Sequence, residues 1–153
     1  MAERRQGPHP QATPRPRQIV IAGGGIAGLS LALALRQALG EVLEVTVCDP
    51  ALERDPAGDR RAYAVALGAR RMLAALGLWS EIAERAQPIL DMVITDSRLG
   101  DPVRPVFLTF GRGEVEPGEP FAHMVESGAL VAALTAASRA RGVRLRPIGV
   151  RGF

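Results

Sequence analysis

Gly23, Gly24, Gly25, Ile26, Ala27 and Gly28 fit the spacing G-x-G-x-x-G. In a chain with 17 glycines that spacing alone says little. Its surroundings say more. An apolar, β-branched run at 18–22 precedes it, a leucine-rich stretch follows, and a second β-branched run ends at Asp49. A strand, a tight turn and a helix start in that order can hold a dinucleotide. Gly23 would permit the turn. Gly25 would let the backbone approach a pyrophosphate, where a Cβ would intrude. Gly28 would let helix and strand pack closely. The free N–H groups of the helix start, Ile26 and Ala27 among them, together with the positive end of its dipole, favour phosphate. The Asp49 carboxylate could accept from both hydroxyls of an adenosine ribose, an arrangement that disfavours a 2′-phosphate. The alternative is a glycine turn that merely packs.

The elements that must position these residues follow from pattern. Residues 18–22 read as a buried strand. Ile26–Leu39 reads as a helix covered on more than one side, ending at Gly40. Leu43–Cys48 reads as a second strand, and the crossover makes the pair parallel and right-handed. A charged loop covers 51–60. Residues 64–76 and 78–86 read as helices broken at Gly77. Residues 90–95, 103–110 and 121–125 are strand-like. Ser127 is placed as the N-cap of a helix reaching Ala140, with Gly142 as its stop and a strand at 143–146. Arg70-Arg71 reads as a solvated helix face, and Trp79 as a core anchor.

Composition excludes several function classes. The 153 residues are 47% hydrophobic and 23% charged, enough to bury a core. A single cysteine, Cys48, forbids an intramolecular disulfide, and two histidines cannot supply a metal site alone. All 19 basic residues are arginine. Four lie in the Pro-rich segment 1–17, which reads as a disordered basic tail. The remaining 15 arginines balance 15 acids, so the body lacks the excess charge of a nucleic-acid binder. Residues 18–35 are uncharged and reach the lower limit for a membrane span, but the glycine triplet inside them favours strand, turn and helix. Segment 1–17 has no apolar core of the secretory kind.

Three stretches carry a family resemblance: IVIAGGGIAGLSLALAL, DRRAYAVALGARRMLAALGLW and AQPILDMVITDS. They resemble the flavin-dependent aromatic hydroxylases of ubiquinone biosynthesis, of the 2-polyprenyl-6-methoxyphenol hydroxylase type, relatives of p-hydroxybenzoate hydroxylase. The resemblance implies an α/β protein, with a Rossmann-like FAD-binding fold on a parallel sheet and the start of a β-rich substrate domain. It divides the chain into the tail 1–17, an FAD-binding βαβ unit with following helices at 18–87, strands of a substrate sheet at 88–125, and a helix and strand returning to the FAD-binding part at 126–153. It implies FAD, held by Gly23, Gly25, Ile26, Ala27, Gly28 and Asp49, with NAD(P)H and O2 as co-substrates. The family more often has Glu where Asp49 stands. Arg61 matches the arginine of the family's D-x-R-A motif near FAD, and a guanidinium suits a pyrophosphate.

By the same resemblance the substrate is a polyprenylated phenol. That implies a cytoplasmic protein, associated peripherally with the inner face of the membrane, with no nucleic-acid partner. The oligomeric state stays open. The family also carries a D-G and a later G-D motif. This chain has no Asp-Gly pair, and its Gly58-Asp59 and Gly100-Asp101 pairs fall in loops. The expectation is therefore the amino-terminal portion of a hydroxylase, inactive alone. The alternative is a non-catalytic dinucleotide-binding module. An NAD-dependent dehydrogenase is disfavoured, because the chain has no Lys and one Tyr, Tyr63.

Overall fold

The computed structural model describes residues 16–96, 100–111 and 117–152. The tail expected at 1–17 lies outside these, apart from its last two residues. The chain opens on strand β1 (Arg17–Ala22), helix α1 (Ile26–Leu39) and strand β2 (Leu43–Cys48). β1 and β2 are parallel, from Arg17 opposite Leu43 to Ala22 opposite Cys48. The apolar side chains of β2 at Leu43, Val45 and Val47 are buried. The last strand, β8 (Arg144–Arg146), adds to the other edge of β2, also parallel, giving the order β1-β2-β8.

Two 3₁₀ turns, Pro50–Glu53 and Pro56–Gly58, lead from β2 to strand β3 (Ala62–Ala66). Helices α2 (Leu67–Ala75) and α3 (Trp79–Ala83) follow, then β4 (Ala86–Ile89), β5 (Met92–Thr95) and β6 (Val106–Phe110). Strand β7 (Ala122–Glu126) runs directly into α4 (Ser127–Ala140). A second sheet has the order β3-β7-β4, antiparallel throughout. β5 and β6 pair apart from it as a hairpin, with Val93, Val106 and Phe107 exposed. One core joins the layers: Leu29 and Leu33 of α1, Val45 and Val47 of β2, Leu73 of α2, Ile82 of α3, Val125 of β7, and Leu130 and Leu134 of α4.

Four local readings change. Residues 64–66 belong to β3 and not to a helix, because Ala62 to Ala66 pair with Glu126 to Ala122 of β7, and that ladder overrides alanine's helical preference. The helix read at 78–86 ends at Ala83, and Ala86 opens β4, an edge strand that tolerates Pro88. α1 buries one face only: Leu29, Ser30, Ala32 and Leu33 are enclosed, whereas Leu31 is half exposed. Arg70 is not solvated. It pairs with Glu119 at 2.9 Å, and its guanidinium carbon lies 5.9 Å from the Trp79 ring centre.

The packing of α1 on β1 depends on one close approach. A Cβ on residue 28 would lie 1.9 Å from the carbonyl oxygen of Gly23. No side-chain rotation relieves a backbone clash. Gly28→Ala should therefore cost about 3 kcal/mol or more, read as a lowered midpoint in urea unfolding; a midpoint equal to wild type would refute the close packing.

Candidate functional site

Each glycine of the turn has its own reason. Gly23 has φ +116°, which side chains rarely adopt. Its N–H donates to the Cys48 carbonyl at 2.9 Å, tying the turn to the end of β2. A Cβ on Gly24 would lie 2.7 Å from Leu52 Cδ2 and 3.0 Å from Asp49 Cβ. Gly28 is fixed by the approach to Gly23. Gly25 is different. Its backbone is ordinary, with φ −81°, and a Cβ there would meet nothing within 4 Å. The fold itself gives residue 25 no reason to be glycine.

Gly25 is also the N-cap of α1. No side chain caps this end, and its first turn holds no acid. The first helical bond runs from Leu29 N–H to the Gly25 carbonyl at 3.0 Å, so the N–H groups of Ile26, Ala27 and Gly28 have no partner within the helix. Open space over Gly25, unshared amides and the positive dipole end together suit an anionic group such as a pyrophosphate.

Asp49 stands beside this turn, at the exit of β2. Its Oδ2 accepts from the Gly24 N–H at 2.7 Å and its Oδ1 from the Ala51 N–H at 2.7 Å. The Gly24 amide, then the Ala51 amide, hold the carboxyl below its ordinary range; burial opposes them and the charge of Arg54 adds to them. The carboxylate thus clamps the glycine turn to the next segment. Each oxygen keeps a second lone pair, enough for two further donors. Cys48, next to it, is a buried free thiol.

Arg61 lies at the far end of a trough. One part, about 370 Å³, is bordered by Gly24, Ala51, Leu52, Arg54 and Thr135. The other, about 340 Å³, is bordered by Ala51, Arg54, Asp59, Arg61, Ser127 and Gly128. Ala51 and Arg54 line both, so the two adjoin. The Arg61 fork meets Asp59, Nε to Oδ1 at 2.9 Å and Nη2 to Oδ2 at 2.7 Å. Arg61, and the Ser127 hydroxyl after it, draw the Asp59 carboxyl far below the usual range.

The structure therefore puts Gly24 on one part of the trough and Arg61 on the other, with Asp49 bonded to the Gly24 amide and the start of α1 following that turn. Ile26 and Ala27 contribute backbone only. Arg54 was not singled out in the sequence, Asp59 only as the acid of the D-x-R-A motif, and Ser127 only as an N-cap. Ser127 is not an N-cap: Glu126 holds that position, and the Ser127 hydroxyl donates to Asp59 Oδ2 at 2.7 Å. The spacing of Asp59 two residues before Arg61 was the available signal. Among the described residues no group of three or more His, Cys, Asp or Glu could hold a metal ion. No helix among them is long and apolar enough to cross a membrane.

Comparison with known proteins places this arrangement. No protein-family model matches the chain. Over 121 residues it is 31% identical to ubiquinone hydroxylase UbiL of Rhodospirillum rubrum, which covers 79% of this chain and 27% of that protein. The chain thus spans about a quarter of that relative's length. Its fold is similar to that of 2-methyl-3-hydroxypyridine-5-carboxylic acid oxygenase, with a TM-score of 0.61 at 20% identity, over 86% of this chain and 31% of the oxygenase. It is also similar to the Diels-Alderase PyrE3 of pyrroindomycin biosynthesis, with a TM-score of 0.60 at 22% identity, over 84% of this chain and 24% of PyrE3. By its sequence the chain is similar to about a quarter of a ubiquinone hydroxylase, and by its fold to part of a hydroxypyridine carboxylic acid oxygenase.

Proposed function

We propose that this chain binds the adenosine and pyrophosphate end of FAD through a Rossmann-like unit. The whole protein would be a monooxygenase acting on a phenolic ubiquinone precursor, with NAD(P)H and O2 as co-substrates. The observation that carries the reading is Gly25: a glycine with unstrained backbone, open space in place of its side chain, and an uncapped helix start behind it. In this reading the amides of Ile26, Ala27 and Gly28 bind phosphate oxygens. The remaining lone pairs of Asp49 take the ribose hydroxyls, and Arg61 supplies positive charge along the trough. A bound flavin supplies the redox and oxygen-transfer chemistry. The chain's own residues bind and orient it. UbiL is a ubiquinone hydroxylase by its name, and a phenolic substrate of that kind is proposed here on that likeness. For these 153 residues alone, which match about a quarter of UbiL, the proposal is binding without phenol turnover.

Gly25→Val separates binding from folding. Its stability should fall by no more than about 1 kcal/mol, the cost of a poorer N-cap residue, while calorimetric titration with ADP should lose all heat of binding. Equal affinities in the two proteins would remove the phosphate reading.

Selectivity at Asp49 gives a second check. A carboxylate facing the ribose repels a 2′-phosphate, so wild type should bind ADP at least about tenfold more tightly than its 2′-phosphorylated analogue. Equal binding would place the ribose elsewhere.

Asp49 also couples the site to acid stability. Its folded value is depressed, so its contribution is whole above the unfolded value, ~3.9, and is lost as pH falls through the lower folded value. Asn at this position turns an amide donor toward a backbone N–H. Urea midpoints of wild type and Asp49→Asn should differ at neutral pH and converge toward about pH 2; a gap independent of pH would refute the clamp.

A further inference from the structure

Arg61 ends a loop, and its side chain is 73% exposed. A guanidinium so placed ordinarily samples many rotamers, and ordering it on a ligand costs entropy. Here it is held before any ligand arrives. Asp59 accepts from Nε and Nη2, and its Oδ1 also accepts from the Arg61 backbone N–H at 3.1 Å. Asp59 is itself anchored by the Ser127 hydroxyl. Ser127 is 2% exposed, at the first turn of α4, and its backbone N–H donates to the Arg61 carbonyl at 2.8 Å. The next residue, Gly128, lies so near the Pro56 carbonyl that a Cβ would come within 2.4 Å of its oxygen. The helix start is therefore packed directly on the 3₁₀ turn and bonded to the Arg61 backbone, and the three side chains close a ring across them. Of the five N–H donors of a guanidinium, Asp59 takes two, which leaves donors for an anion in the trough.

We propose that Asp59 and Ser127 are positioning residues: they hold the Arg61 guanidinium oriented for the nucleotide phosphates. The proposal rests on the reading of the trough as the FAD site. Asp59 acts as an orienting partner and not as a competitor. Its carboxylate is committed from both sides, by a buried hydroxyl and by the backbone of the residue it orients. A bidentate pair also fixes direction, which a lone exposed arginine lacks.

The test is ADP affinity of the full chain by calorimetry, with circular dichroism to confirm folding. The proteins are wild type, Arg61→Met, Asp59→Asn, Ser127→Ala, and the two latter changes each combined with Arg61→Met. Asp59→Asn and Ser127→Ala should each weaken ADP about tenfold, and neither should weaken it further once Arg61 is gone. That dependence on Arg61 is what a merely structural role would not produce. Should Ser127→Ala unfold, Asp59→Asn at a partly exposed site carries the test. Single variants at wild-type affinity or tighter, with Arg61→Met weakened, would overturn the positioning role and leave the trough reading standing. Losses that add in the doubles would overturn it also, as damage to the fold. ADP binding that is absent from wild type, or unmoved by Arg61→Met, would overturn the role of Arg61 and the inference with it.

Discussion

The carbonyl oxygen of Gly23 occupies the space that a side chain on residue 28 would need. Much of the glycine-turn end of the molecule follows from that contact. It sets the distance of α1 from β1, and so lets Leu29 and Leu33 reach the β2 side chains Val45 and Val47. It also aims the first turn of α1, with its unshared amides, out of the end of the parallel sheet. The same turn is tied to β2 through Gly23 N–H and the Cys48 carbonyl. Sheet, helix and turn are thus one rigid corner, and an anion there would meet dipoles already in place.

What extends this corner into a trough is polar. Asp49 bridges the glycine turn and the first 3₁₀ turn through two backbone amides. Asp55 and Asp49 each accept from the backbone N–H two residues on, a local bond that starts a short turn without a longer helix. The far wall is α4, whose start is pressed against Pro56. Two arginines on this side are answered locally: Arg61 by Asp59, and Arg85 by Glu126.

The parts legible in the sequence were those set by near neighbours. β2 and α1 fall where the apolar pattern puts them, because strand, turn and helix succeed each other within a few residues. The limits of α4 were also legible, but the role of its first residue was not. Ser127 looks like a cap because serine often is one; its hydroxyl turns to Asp59, 68 residues away, a partner no local pattern contains. β3 was hidden for the same reason: alanines 62, 64 and 66 look helical until β7 is alongside. Arg70 looked solvated because two arginines in a row usually are; Trp79 and Glu119 lie beyond any helical window. The glycine spacing marked the turn, whereas the distinct status of Gly25 emerged from its surroundings.

The pairing of β8 with β2 has a consequence for how the chain reaches its final form. Arg144 and Glu44, bonded across that edge, are 100 positions apart in sequence. The β1-α1-β2 unit closes over a short span, and such local contacts assemble early. The edge of β2 must then wait until α4 has docked and delivered Arg144–Arg146. During that interval the buried strand offers open backbone groups on one side. Contact order predicts slow docking at this edge, with self-association while it is bare, for a parallel strand that pairs across so long a stretch of sequence.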